Sequence, residues 1–148
     1  MNNEELVKNI TIQLGFRGAR PLFIVESGSR AWGMESKNSD YDIRLVFAYN
    51  KEEYLSLENP VGEFNLTVDE NFVHAEGENV VYDIEGMDIK KFLQLMIRSN
   101  PTVIEWCNSP IVYYNAEFTK NKKLIALLNS TQKKDLCYHY LGLCRQNY

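Results

Sequence analysis

The stretch "DYDIRLVFAY", Asp40 to Tyr49, constrains this chain more than any other. Its β-branched and aromatic content predicts a strand, yet it carries charges at alternating positions, Asp40, Asp42 and Arg44. Residues two apart on a strand point to the same face, roughly 6.5 to 7 Å apart along it. A fold built on this strand must place the two carboxylates and the guanidinium on one face while Tyr41 and Ile43 pack inward on the other. Alternation alone leaves two readings: a polar edge facing solvent, or a carboxylate pair that shares hard cations such as Mg²⁺ or Mn²⁺, which take oxygen ligands.

The run before it, "PLFIVES" from Pro21, is too short for a helix and reads as a strand paired with the first. Gly28 and Ser29 follow it and open a short helical turn, "GSRAWGME". Such a turn leaves main-chain N–H groups free and lets a phosphate approach closely, with the serine hydroxyl as a further donor. Arg30, directly after the pair, is placed to fork onto a phosphate. "VVYDI", Val80 to Ile84, is a third strand, ended by Gly86. Inside it Asp83 is unfavourable unless it finds a partner. A third carboxylate on a neighbouring strand would complete a two-metal site; Glu85 shares its parity and competes for the role.

Helices are expected over Asn3 to Phe16, where Leu6, Ile10 and Leu14 recur every four residues, and over Lys51 to Leu57. A broad apolar face starts at Met87 and is stopped by Asn100-Pro101, and "PTVIEWCNS" follows with proline in its first turn. Lys120 to Leu128 and Lys133 to Arg145 complete the helices, while Asn59 to Asn79 supports no assignment. Strands interleaved with helices predict an α/β (α+β) fold. The expected division is a core over residues 1–115 and a helical segment over 116–148, whose pattern runs to Tyr148 without a stop signal, as in a shortened version of a longer protein.

A length of 148 residues with 45% hydrophobic and 12% aromatic content suits one folded domain. A net charge of −4 argues against binding nucleic acid by bulk attraction. "MNNEELVKN" lacks the features of a secretory signal, and no apolar run nears the roughly 20 residues of a membrane span, so a cytoplasmic location without membrane contact is expected. Cys107, Cys137 and Cys144 lack paired spacing and read as reduced buried thiols. His74 and His139 have no triad or metal spacing, Trp32 reads as a packing anchor, Ser39 as a strand start, and Glu105-Trp106 as a cap and filler between helices.

The string Gly-Ser, ten residues, then Asp-x-Asp among hydrophobic positions resembles the nucleotidyltransferases of the DNA polymerase beta superfamily. The words "GSRAWG", "SDYDIR", "DIEGMDIKKFLQLMIRSNP" and "EWCNSPIVY" resemble one branch, predicted bacterial and phage nucleotidyltransferases, some encoded near RNA ligases. The resemblance implies a mixed sheet with flanking helices, Gly28 and Ser29 at an NTP triphosphate, Asp40 and Asp42 as metal ligands, and Asp83 as ligand or general base. Arg44 would reach the phosphates or neutralise the acids, and Lys91, rather than Lys90, would reach the nucleotide. The reaction implied is transfer of a nucleoside monophosphate from NTP to a hydroxyl acceptor, with release of pyrophosphate. The acceptor, an RNA end, a small molecule or a protein, stays open, as does a non-catalytic nucleotide-binding module on the same scaffold. Proteins of this branch continue beyond the point where this chain ends.

Overall fold

The computed structural model describes residues 2–37, 39–58, 60–67, 82–116 and 118–130, together with 137, 138, 140–142, 144 and 145. Helix α1 spans Asn3–Gly15, and the Asn2 side chain caps it by accepting from the Glu4 N–H. Its periodic residues, Leu6, Ile10 and Leu14, are buried as expected. Strand β1 follows at Ala19–Glu26, then the single turn α2 at Gly28–Ala31, strand β2 at Tyr41–Tyr49 and the short α3 at Lys51–Tyr54. Strands β3, Glu63–Thr67, and β4, Tyr82–Asp88, lead into helices α4, Ile89–Ile97, and α5, Pro101–Asn108. Strand β5, Val112–Asn115, a 3-10 turn at Phe118–Lys120 and α6, Lys122–Asn129, complete the named elements.

The five strands form one mixed sheet in the order β3-β4-β2-β1-β5, so the fold is α+β. Strands β2 and β4 run parallel, and the other three pairings are antiparallel. Both faces are covered. On one, α1 packs against Ile24, Ile43, Leu45, Phe47 and Ile84. On the other, Phe92 and Met96 of α4, Val103 and Trp106 of α5 and Leu124 of α6 meet Phe23, Val25, Val46 and Met87. Double coverage explains the continuous apolar runs Phe23-Ile24-Val25 and Leu45-Val46-Phe47, since central strands with two covered faces lose alternation. Phe118, from beyond β5, lies 6.1 Å from the Phe23 ring and 5.6 Å from the Phe92 ring, so this core continues past residue 115.

Local chemistry sets the helix ends. Asp88 caps α4 through the Lys90 N–H at 2.8 Å and accepts a second bond from the Tyr54 hydroxyl. The same helix ends on Ser99 at φ 55°, with the Ser99 N–H on the Met96 carbonyl and the Asn100 N–H on the Leu95 carbonyl, a Schellman closure. Asn100 then caps α5 with Pro101 in its first turn.

Several expectations are corrected. Gly86 does not end its strand, which runs on to Asp88. It faces Leu45 across the parallel pair, and a Cβ at Gly86 would lie 2.7 Å from Leu45 Cγ, so the glycine is there for close packing. A strand, β3, lies in the stretch that supported no assignment, its pairing to β4 being a tertiary matter. The helix expected from Lys120 starts at Lys122 because Asn121 caps it. Trp32 is 48% exposed, in the turn closed by Gly33 off the sheet, and is no packing anchor. Trp106 fills the core as expected, but Glu105 accepts from Tyr140 Oη at 2.7 Å and among the described residues caps no helix. All three cysteines are free, yet Cys107 is only partly buried and Cys137 and Cys144 are exposed. Val80, Val81, His74, His139 and much of the helix expected over Lys133 to Arg145 lie outside the described residues. Among the described residues no helix is long and apolar enough to cross a membrane.

Two predictions follow from this packing. Gly86→Ala should destabilise the protein by about 1–3 kcal/mol, because an added methyl overpacks against Leu45; urea unfolding would measure it. Burial pushes the Cys107 thiol up to about 12, so at neutral pH it is protonated and slow to react. A thiol reagent followed by mass spectrometry should label Cys137 and Cys144 first and the partly buried Cys107 more slowly.

Candidate active site

The parallel register of β2 and β4 sets Asp42 opposite Asp83 and Arg44 opposite Glu85. By alternation with Ile43, Leu45 and Ile84, which pack under α1, all four charged residues lie on the sheet face that carries α4 to α6. They sit toward the N-terminal ends of both strands, where cover is incomplete. The side chains of Asp42 and Asp83 are 31% and 49% exposed, and that of Arg44 is 14%.

Arg44 holds the acids together. Its Nη2 lies 3.1 Å from Asp42 Oδ1 and 2.8 Å from Asp83 Oδ2, and Nη1 donates to the Asp83 carbonyl at 3.1 Å. Glu85 stands farther from the guanidinium, with Oε2 at 3.8 Å from Nε. Two like charges directly opposite on neighbouring strands repel. The guanidinium between them offsets that repulsion, so of the two readings for Arg44 the structure displays neutralisation.

The Gly-Ser turn meets these acids directly. Gly28 adopts φ 61°, and a Cβ on it would lie 1.9 Å from Asp42 Oδ2. Glycine is required twice over, for the left-handed backbone and for the approach of the carboxylate. Gly28 and Ser29 open the turn α2, and by position their N–H groups have no intrahelical acceptor.

Arg30 turns back onto the chain. Its Nε donates to the Ser39 and Asp40 carbonyls, both at 3.1 Å, its Nη2 donates to the Ser39 carbonyl at 2.6 Å, and its guanidinium lies 3.9 Å over the Tyr41 ring. It ties the turn after β1 to the start of β2. Asp40 is exposed, one residue before β2, and among the described residues its carboxylate makes no ion pair. Ser39 closes its own turn, its Oγ accepting from the Ser36 N–H at 2.8 Å. Lys91 is not brought to the acids. It sits in the first turn of α4, paired with Glu63, which is in register with Met87, four residues or roughly 13 Å along β4 from Asp83.

Glu26, which no local sequence pattern singled out, is wholly buried at the end of β1. Burial raises its pKa against the opposing effect of its hydrogen bonds from Tyr113 and the Asp42 N–H. The available signal was a glutamate ending an apolar strand directly before Gly-Ser. Among the described residues no three His, Cys, Asp or Glu side chains form a group that would hold a metal. Arg44 occupies the space between the two acids.

A strand-turn holding Gly28 against an Asp-x-Asp strand, with a further acid in register on the next strand, is a specific arrangement, and it can be compared with known proteins. The sequence matches the RNA repair pathway DNA polymerase beta family over residues 4–148. The chain belongs to that family. The chain is also similar to uncharacterized protein YcgL of Bacillus subtilis (strain 168), 39% identical over 131 residues. The aligned part is 88% of this chain and 46% of the relative, so the chain spans about half the relative's length.

The contact between the turn and the acid is testable without any ligand. Gly28→Ala should cost about 1–3 kcal/mol, from a strained left-handed alanine and a displaced Asp42 side chain. Thermal unfolding would measure the cost. Chemical-shift changes at Asp42, Arg44 and Asp83 should report the displacement.

Proposed function

We propose that the protein is a metal-dependent nucleotidyltransferase that moves a nucleoside monophosphate from NTP to a hydroxyl, releasing pyrophosphate. One observation carries the reading: Asp42 and Asp83 are in register on adjacent parallel strands, with the Gly28 main chain packed against Asp42. Family membership supports it. The family's description, RNA repair pathway, favours the hydroxyl of an RNA end over a small molecule or a protein as acceptor.

The donor set fits a hard divalent cation, because Asp42, Asp83 and the exposed Asp40 offer only carboxylate oxygens. As the side chains stand these three are not gathered into one metal-holding group; with Asp40 drawn in and Arg44 moved aside, Asp40, Asp42 and Asp83 would hold Mg²⁺ or Mn²⁺, which when bound would supply charge neutralisation at the phosphates and a lowered pKa for a bound hydroxyl. Gly28 and Ser29 take the triphosphate through main-chain N–H groups and the Ser29 hydroxyl. Arg44, once released from the acids, turns its fork to the phosphates. Asp83 accepts the proton of the attacking hydroxyl. The rest of the rate enhancement comes from positioning.

A nucleotide-binding module without turnover is the second reading, favoured by the guanidinium that already occupies the space between Asp42 and Asp83. The two are separated by assay. On the first reading, labelled NTP with Mg²⁺ and a pool of RNA ends gives labelled product. Asp42→Ala, folded by circular dichroism, should then lose at least about 100-fold in rate, since charge neutralisation at the phosphates is worth several kcal/mol. Metal-dependent NTP binding with no product from any acceptor would select the module. Equal behaviour of wild type and Asp42→Ala in both assays would refute both readings.

A further inference from the structure

Glu26 stands where β1 leaves the sheet. The next residue, Ser27, donates its N–H to the Asp42 carbonyl at 2.8 Å, as an antiparallel pair requires. The reciprocal bond, from the Asp42 N–H to the Ser27 carbonyl, is replaced as the chain bends into Gly28. Glu26 Oε1 accepts the Asp42 N–H instead, at 2.8 Å. The second oxygen, Oε2, accepts from Tyr113 Oη at 2.6 Å. The main chain of Glu26 is gripped as well, its N–H by the Ile111 carbonyl at 3.0 Å and its carbonyl by Ser109 Oγ at 2.6 Å. One carboxylate thus joins three separate words of the sequence, "ESGSR", "SDYDIR" and "NSPIVY". An apolar residue in its place would leave the Asp42 N–H without an acceptor just where the ladder ends.

Resting on the nucleotidyltransferase reading above, we propose that Glu26 is a positioning residue for that reaction. Its carboxylate fixes the main chain of Asp42, and with it the Asp42 carboxylate beside Asp83, while Tyr113 fixes Glu26. A glutamate suits the place because it offers two acceptors to two donors, the Asp42 N–H and the Tyr113 hydroxyl. The Glu26 side chain lies on the α1 face of the sheet, opposite the acids, so it reaches no substrate there and acts only through Asp42.

The test is residue-resolved amide hydrogen exchange on the full chain without metal, read at Asp42 and, as reference, at Leu45. Alongside it, ATP binding is measured in Mg²⁺. Loss of a hydrogen bond to a carboxylate should speed Asp42 exchange about tenfold or more in Glu26→Ala, with Leu45 unchanged. Tyr113→Phe should show the same pattern at a smaller amplitude. Glu26→Gln should keep both Asp42 protection and ATP binding, because its carbonyl oxygen accepts the same N–H and its NH₂ group can donate to the Tyr113 oxygen. Binding should weaken in the order of Asp42 exchange across the three variants. Uniform acceleration along β2, or unchanged Asp42 exchange in both Glu26→Ala and Tyr113→Phe, would overturn the proposal. If Glu26→Ala does not fold, Tyr113→Phe decides by the same comparison. A wild type that binds no ATP in Mg²⁺ while Asp42 exchange still follows Glu26 would sink the nucleotidyltransferase reading, and the positioning role in that reaction with it, yet leave the structural link standing.

Discussion

The in-register parallel pairing of β2 with β4 is the constraint on which the rest of the candidate site depends. Strand β2 lies at the middle of the sheet and touches apolar clusters on both faces. A slip of one residue would send Asp42 and Arg44 into the core under α1 and bring Ile43 and Leu45 to the other face, because side chains alternate with a period of two. Burial of Ile43, Leu45 and Phe47 on one face and Val46 on the other makes such a slip costly. The apolar residues thus choose the register, and the register brings Asp42 to Asp83.

That arrangement places two acids side by side, and the neighbourhood bears the cost. Arg44 bridges the pair from a largely covered position, and its fork geometry matches two separate carboxylate oxygens. Most of the remaining order comes from main-chain contacts. Gly28 lets the turn lie against Asp42, Arg30 holds the carbonyls of Ser39 and Asp40, and Glu26 takes the N–H that the departing β1 no longer pairs. The acids are held by their surroundings and remain partly open to solvent.

The candidate site and the helix-capping contacts draw on opposite ends of the same strand. The end of β4 that carries Asp83 and Glu85 is polar and open, and the other end, at Asp88, is closed by a helix cap and the Tyr54 hydroxyl. Lys91 belongs to the closed end through Glu63. Lys91, eight residues after Asp83 in the sequence, is therefore remote from it in space, since β4 and the first turn of α4 carry it away.

Local pattern alone determined much of this protein: the helix of Leu6, Ile10 and Leu14, the strands around Phe23 and Leu45, and the proline-led start of α5. These are legible because their physics is short in range, set by side-chain period, capping and turn chemistry. Tertiary structure alone decided the rest. Strand β3, the passage of β4 through Gly86, the turning of Arg30 onto carbonyls and the burial of Glu26 each depend on a partner distant in sequence. A glycine reads locally as a stop, and only the Leu45 side chain across the sheet makes it a packing residue. A glutamate at a strand end reads as a solvent charge, and only Tyr113 and the Asp42 N–H, 87 and 16 residues away, make it a buried acceptor.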